Sequence, residues 1–411
     1  MIVGNFVGKE ALAAVTSSSP IINLLISFFM GLSVGAGVVI ARYFGVTGAT
    51  DAFYVAFRIP NLLRRLFAEG AFSQAFLPML SEVKEKESPE RTKDFISHVF
   101  SLLAISVFLT SIAGVIFAPA VIWLIATGFA EHPETFDLAV ALTRFMFPYI
   151  IFMSLVAFAA AVLNTWKHFA IPAFTPVLLN VSFIVCILAL TPFMTEPVWA
   201  LAVAVIGGGV LQLGTQLAAL KRLGVFPKMT SPAAALRDSK VRQTLKLMLP
   251  AVVGVSVAPL SILINTNIAS RLSDGAVTWL SYADRLMEFP TAMLGVALGT
   301  VLLPSLASAF NRGELERYNG LLDRGLRLVV LLAVPAAVGL WFCAELLAAV
   351  LFQGKNFTAT DVLQTSVAIE GYAAGLLGLI GIKIIAPAFY ARKDIKTPVK
   401  AALASVVFVQ T

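Results

Sequence analysis

Between Ala49 and Glu82 the stretch ATDAFYVAFRIPNLLRRLFAEGAFSQAFLPMLSE is mostly apolar, yet it carries Asp51, Arg58, Arg64, Arg65 and Glu69 with Asn61, Ser73 and Gln74. Ionisable groups inside a membrane-length helix are costly, and they face a bundle interior or a water-filled cavity where they act on a substrate or an ion. Arg58, Asn61, Arg65 and Glu69 follow at spacings of three and four, so most share one helical face. Pro60 removes a backbone hydrogen bond, which a cavity-lining helix tolerates. The result is a cationic wall suited to an anionic substrate, with Asp51 and Glu69 as pairing or gating groups. The competing reading is an ordinary helix end, with Arg64 and Arg65 snorkelling to the interface.

A counterpart lies in TWLSYADRLMEFPTAMLGVALGTVLLP, where Asp284, Arg285 and Glu288 are the only charges. Arg285 and Glu288 sit at i, i+3, so the structural alternative is a pair that only pins the helix. An arginine fork stays charged and offers several donors, which suits a phosphate or pyrophosphate. Arg58, Asn61, Arg64 and Arg285 are therefore the candidate substrate-binding residues. Asp51, Glu69, Asp284 and Glu288 are the candidates for gating or ion pairing. Arg144, Glu370 and Lys383 also lie in apolar stretches, as gating or structural ions. No residue is assigned to catalysis: the sequence holds no Walker A loop, no nucleophile elbow and no HExxH. GVALGT and GLIGI read as small-residue helix contacts rather than dinucleotide loops.

The elements that must position these charges are membrane helices. Of 411 residues, 59% are hydrophobic and 13% charged, about half the charge of a soluble domain. Apolar runs predict spans over 20–43, 49–82, 95–127, 137–165, 170–192, 197–220, 244–271, 276–309, 323–352, 360–391 and an incomplete one from 397. Alternate loops are basic, and five of them hold 20 of the 30 Lys and Arg. By the positive-inside rule those loops are cytoplasmic, so the net charge of +7 reflects topology rather than nucleic-acid binding. Two cysteines in apolar segments and three scattered histidines build neither a disulfide framework nor a metal site. No cofactor is expected, and the identity of any coupling ion is left open.

An internal repeat runs at a constant offset of 226 residues. LPMLSE at 77–82 matches LPSLAS at 303–308, Gly128 aligns with Gly354, and Lys167 and Pro172 align with Lys393 and Pro398. A six-span offset is even, so the halves are parallel, and parallel halves enclosing a mid-membrane site are a transporter architecture. The lobes are read as 1–225 and 226–411. The first holds six helices. The second is read as C-terminally shortened, with the chain ending inside its fifth.

The long motif at 49–78 resembles the second helix of the MurJ (MviN) lipid II flippases. The resemblance continues through FPYIIFMSL, LNTWKHFAIPAFTPVLLN, GGGVLQL, YADRLMEFPTAMLGVALGTVLLPSL and FYARKDIKTPVK, covering about 46–411. It implies an all-α, two-lobe bundle of the exporter superfamily that includes the MATE antiporters, with about eleven of fourteen helices present. It also implies movement of the lipid-linked peptidoglycan precursor, lipid II, from the inner to the outer leaflet of the bacterial cytoplasmic membrane, by alternating access and as a monomer among membrane lipids. The family's second-helix functional residues fall on Asp51, Arg58, Asn61, Arg64 and Glu69. Its essential eighth-helix arginine falls on Arg285, with Glu288 beside it. Residues 1–45 depart from this pattern. FFMGLSVGAGVVIARYFG lacks the family's first-helix arginines, and 1–45 resembles a MATE drug/cation antiporter instead. A MATE-type antiporter and a non-transporting fragment are the alternative functions, the first needing an acidic site at Asp51 and Glu69.

Overall fold

The computed structural model describes residues 31–64, 71–255, 257–291 and 312–392, with scattered residues between 302 and 310 and between 394 and 405. Every regular element among the described residues is helical. In chain order these are α1 (Gly31–Phe44), α2 (Gly48–Arg64), α3 (Ala71–Lys86), α4 (Pro89–Ile116), α5 (Ala118–Ile125), α6 (Pro133–Met146), α7 (Tyr149–Thr165), α8 (Ala170–Leu190) and α9 (Trp199–Arg222). Then follow α10 (Pro232–Arg237), α11 (Ser239–Val255), α12 (Val257–Ser270), α13 (Ala276–Pro290), α14 (Leu315–Phe342), α15 (Ala344–Phe352) and α16 (Ala359–Ala391).

Six stretches among the described residues are long and apolar enough to cross a bilayer: Pro89–Ile116, Pro133–Thr165, Ala170–Phe193, Trp199–Arg222, Leu315–Phe342 and Ala359–Ala386. Their outward side chains are apolar too. Phe108, Leu109, Ile112 and Ile116 of α4 are exposed, as are Val330, Leu331, Val334 and Val338 of α14. A helix apolar all round belongs in lipid rather than against water. Some hydroxyls within these helices are satisfied by their own backbone: Ser97 Oγ donates to the Lys93 carbonyl at 2.8 Å and Thr175 Oγ1 to that of Ile171 at 2.8 Å.

Three spans read as continuous are interrupted among the described residues. The span at 95–127 starts earlier, at Pro89, and divides at Phe117. Pro119 has no N–H to offer the Val115 carbonyl, so the helix stops and restarts. The span at 137–165 turns at Phe147–Pro148. The span at 323–352 starts at Leu315 and divides at Cys343. The stretch at 49–82 is seen as α2 and α3, with 65–70 outside the described residues.

Packing divides the chain into two compact units. One is Thr47–Val277; the other joins the segment ending at Val46 to the one beginning at Thr278. These units do not coincide with the lobes 1–225 and 226–411 expected from the sequence repeat. In the first unit the core is aromatic: Phe72, Phe76, Phe95 and Phe158 are buried together, with Phe76 and Phe158 centroids 5.3 Å apart. Helices α8 and α9 pack closely because Gly208 has no side chain. A Cβ there would lie 2.7 Å from Leu179 Cδ1. In the second unit Met287, Leu302, Leu306, Tyr318, Val329, Leu376 and Ile380 form the core. Trp279 Nε1 donates to Asp361 at 3.0 Å, fixing α13 against the start of α16. The end of α1 belongs to this unit: Asn356 Nδ2 donates to the Tyr43 carbonyl at 2.5 Å and Arg42 Nη2 to the Val350 carbonyl at 3.2 Å.

Candidate functional site

In the unit Thr47–Val277 the site is built on α2. Thr47 and Thr50 start this helix reciprocally: the Thr47 N–H donates to Thr50 Oγ1 at 2.9 Å, and that hydroxyl donates to the Thr47 carbonyl at 2.8 Å. Asp51 follows in the first turn, where the helix dipole favours a carboxylate. It is 2% exposed, and its Oδ2 accepts the Gly275 N–H at 2.6 Å. Gly275 has a φ of +93°, a conformation open to glycine at little cost. Asp51 thus fastens the start of α2 to the turn that precedes α13.

Two turns further on, Arg58 Nη1 donates to Thr266 Oγ1 of α12. Thr266 is fully buried, and its own hydroxyl donates to the Ile262 carbonyl at 2.7 Å, so a lone pair is left facing the guanidinium. The aromatic side of α2 holds this orientation. Phe53 and Phe57 stack 5.8 Å apart, and Phe183 of α8 meets Phe53 edge-on at 6.2 Å. Asn61 is half-buried one turn beyond Arg58. Arg64 is the last residue of α2; its side chain, with Arg65 and Glu69, lies outside the described residues.

In the other unit Arg285 stands on α13. Tyr282 and Met287 anchor this helix in the core, Tyr282 lying 5.0 Å from the Phe352 ring. Arg285 is half-buried, and its Nη1 donates to the Ser33 carbonyl of α1 at 3.2 Å. Its partner is therefore a neutral main-chain oxygen and not the Glu288 carboxylate. Asp284 and Glu288 are both exposed. Of the weaker candidates, Arg144 is exposed in the last turn of α6, Lys383 is exposed on α16 and Glu370 is half-buried. Among the described residues, no three His, Cys, Asp or Glu side chains come together as a metal site. Arg58 and Arg285 belong to different compact units, and each is positioned within its own.

Sequence reasoning missed the neutral partners. Thr266 lies in the polar triplet Asn265–Thr266–Asn267 of an otherwise apolar run, a signal that was available. The Ser33 carbonyl and the Gly275 N–H are main-chain groups and carry no residue-type signal. A further network was also missed. The segment between α9 and α11 lies along α4: Ser97 Oγ accepts the Lys228 N–H at 3.1 Å and Ser101 Oγ the Thr230 N–H at 2.8 Å. At its far end Asp238 takes Arg91 Nη2 at 2.8 Å, His98 Nδ1 at 3.1 Å and the Lys240 N–H at 3.0 Å. Burial alone would raise the Asp238 pKa. The hydrogen bonds from Arg91, His98 and the Lys240 amide outweigh it and hold the carboxyl below the usual range.

The chain matches the family described as Lipid II flippase MurJ over residues 40–410. The lipid II flippase MurJ of Burkholderia cenocepacia is 52% identical over 372 residues, which is 90% of this chain and 72% of that protein. The chain belongs to the MurJ family. The probable lipid II flippase MurJ of Haemophilus influenzae is 41% identical over 383 residues, covering 90% of this chain and 74% of that protein. In three dimensions this MurJ-family chain resembles the structure titled Lipid II flippase MurJ, inward closed conformation. The TM-score is 0.79 at 24% identity, over 95% of this chain and 79% of that one. An inward-facing MATE multidrug transporter of the MOP superfamily gives 0.70 at 12% identity, over 93% of this chain and 86% of that one. The MatE family itself matches residues 1–63, as the resemblance of 1–45 implied. The fold is therefore an all-α, multi-spanning one of the MOP type, and the protein is a membrane transporter rather than an enzyme.

Proposed function

We propose that this chain moves lipid II from the inner to the outer leaflet of the bacterial cytoplasmic membrane by alternating access. The observation that carries this reading is Arg285. It lies in a mainly apolar helix, and among the described residues its hydrogen bond goes to a neutral carbonyl. Its charge is not spent on a carboxylate, and its remaining N–H donors are available to an anion. In a medium of low dielectric such a fork favours a pyrophosphate strongly. Arg58, Asn61 and Arg64 supply further polar groups for the head group. Asp51, Glu69, Asp284 and Glu288 act in gating or ion pairing. The lipid tail stays in the bilayer while the head group crosses.

On this reading the functional lobes are 1–225 and 226–411, with about eleven of the family's fourteen helices present. The basic loops after the even-numbered spans face the cytoplasm, supported by the charge alternation along the chain. The chain acts as a monomer surrounded by membrane lipids. The test is growth of a strain depleted of its own flippase. The unchanged chain should support growth, and Arg285→Ala should insert normally yet fail to do so. Growth of the Arg285→Ala strain equal to that of the parent would overturn the role given to this arginine.

A further inference from the structure

We infer that Gly37 of α1 is the positioning residue for Arg285, and that it works by uncovering the Ser33 carbonyl. This inference rests on the role proposed for Arg285 above. In an α-helix the carbonyl of residue i points towards residue i+4, and the Cβ of that residue tilts back over it. Ser33 and Gly37 stand in that relation. With no Cβ at 37, the Ser33 oxygen is open on its outer side, and there it accepts Arg285 Nη1 at 3.2 Å. A Cβ built at Gly37 would lie 3.2 Å from Arg285 Cδ, 3.6 Å from Nη1 and 3.8 Å from Nε. The arginine stem therefore lies flat across the position where a side chain would stand. Gly37 is buried.

The other glycines described in this helix do not have this property. A Cβ at Gly31 or at Gly35 would meet nothing within 4 Å. Gly37 is thus distinguished by what covers it and not merely by being small. The contact also suits the chemistry. A carboxylate at this place would hold Arg285 equally well but would neutralise it, whereas a main-chain carbonyl orients the guanidinium and leaves its charge for the substrate. In this chain, whose residues 1–45 resemble a MATE antiporter, α1 supplies no arginine of its own among 31–41. Its contribution to the site is an acceptor and a gap.

The experiment compares the unchanged protein with Gly37→Ala, Gly37→Leu and Gly35→Ala, each purified in detergent micelles. Alanine favours helix over glycine, so Gly37→Ala should keep or raise the thermal midpoint, which separates mispositioning from misfolding. Two readouts follow. Phenylglyoxal modification of Arg285, followed by mass spectrometry without any ligand, should be faster in Gly37→Ala and faster still in Gly37→Leu. Gly35→Ala should match the parent. Binding of lipid II should weaken about tenfold in Gly37→Ala, the worth of one hydrogen bond to a charged group. It should weaken no further when Gly37→Ala is added to Arg285→Ala, because the glycine acts through the arginine. Unchanged Arg285 labelling in both Gly37 variants would overturn the inference, as would an equal loss of binding with and without the arginine. Should the unchanged protein bind no lipid II, the substrate reading falls, while Arg285 labelling still decides whether Gly37 positions it.

Discussion

Replacing Asp238 with alanine should free the segment between α9 and α11 from α4. The side chain of Asp238 is 2% exposed, and it gathers three donors: the Arg91 guanidinium, the His98 ring and the Lys240 N–H. The losses are unequal. Arg91 is 36% exposed and keeps Glu87 at 3.2 Å, so its share is about 1 kcal/mol or less. His98 is 17% exposed, and the Lys240 amide has no alternative side-chain acceptor at this position, so each loses about 1 kcal/mol. The sum, about 3 kcal/mol, is on the order of a hundredfold in the opening equilibrium. Amide hydrogen exchange read on a peptide covering 226–231 reports that opening away from the substituted residue, because the Lys228 and Thr230 amides are bonded to Ser97 and Ser101. Asp238→Asn keeps an acceptor and should open by about a tenth as much. The pH dependence has a definite sign. The folded pKa of Asp238 lies below its ordinary value of 3.8, so its stabilisation is complete above that value and is lost as pH falls through the folded one. Exchange in the parent and in Asp238→Ala should therefore differ at neutral pH and converge in acid, once pH has fallen below 3.8 and through the lowered folded pKa. Equal protection of 226–231 in parent and Asp238→Ala at neutral pH would refute the reasoning.

Two other substitutions separate anchoring from transport. Asp51→Ala removes the acceptor of a buried N–H and should cost about 2–3 kcal/mol in thermal stability in detergent, whereas Asp51→Asn keeps an oxygen there and should cost about half; equal midpoints for the two would show that the Gly275 bond is not what Asp51 provides. Thr266→Val keeps the branched shape but removes one acceptor of Arg58, so flippase complementation should weaken while thermal stability falls by about 1 kcal/mol or less, the net contribution of one hydrogen bond; a larger loss of stability with complementation unchanged would make Thr266 a packing residue.

What was legible in the sequence was whatever depends on residue type and period. Apolar runs gave the six membrane-length stretches seen among the described residues, and the charges of 49–82 and 282–288 marked the helices that became α2 and α13. Breaks were harder to read, because proline is compatible with both continuation and interruption: Pro60 lies inside α2 and Pro335 inside α14, while Pro119 opens a new helix. Partners were hardest. Arg285 has an acidic neighbour at a favourable spacing on its own helix, yet it donates to a carbonyl distant in sequence, and main-chain oxygens are identical at every position. The latch at Asp238 was hidden for a related reason. Its basic surroundings look topogenic, and only folding shows that Arg91 and His98, seven residues apart on α4, converge on one carboxylate.

The same distinction applies to α1, where the two family matches overlap. The MurJ match begins at residue 40, within α1, and the MatE match runs across it to 63. The two ends of α1 make different kinds of contact. Its C-terminal end, inside the MurJ match, uses side-chain identity: Arg42 reaches the Val350 carbonyl, and Gly45, at a φ of +62°, leaves room for the Asn356 carbonyl, which a Cβ would approach to 1.9 Å. The half before residue 40 meets Arg285 through a main-chain oxygen and a missing Cβ. A helix backbone supplies that oxygen whatever its side chains are, so this one contact asks only for a small residue at position 37. On the proposed function, α1 orients Arg285 and leaves its charge for an anionic head group.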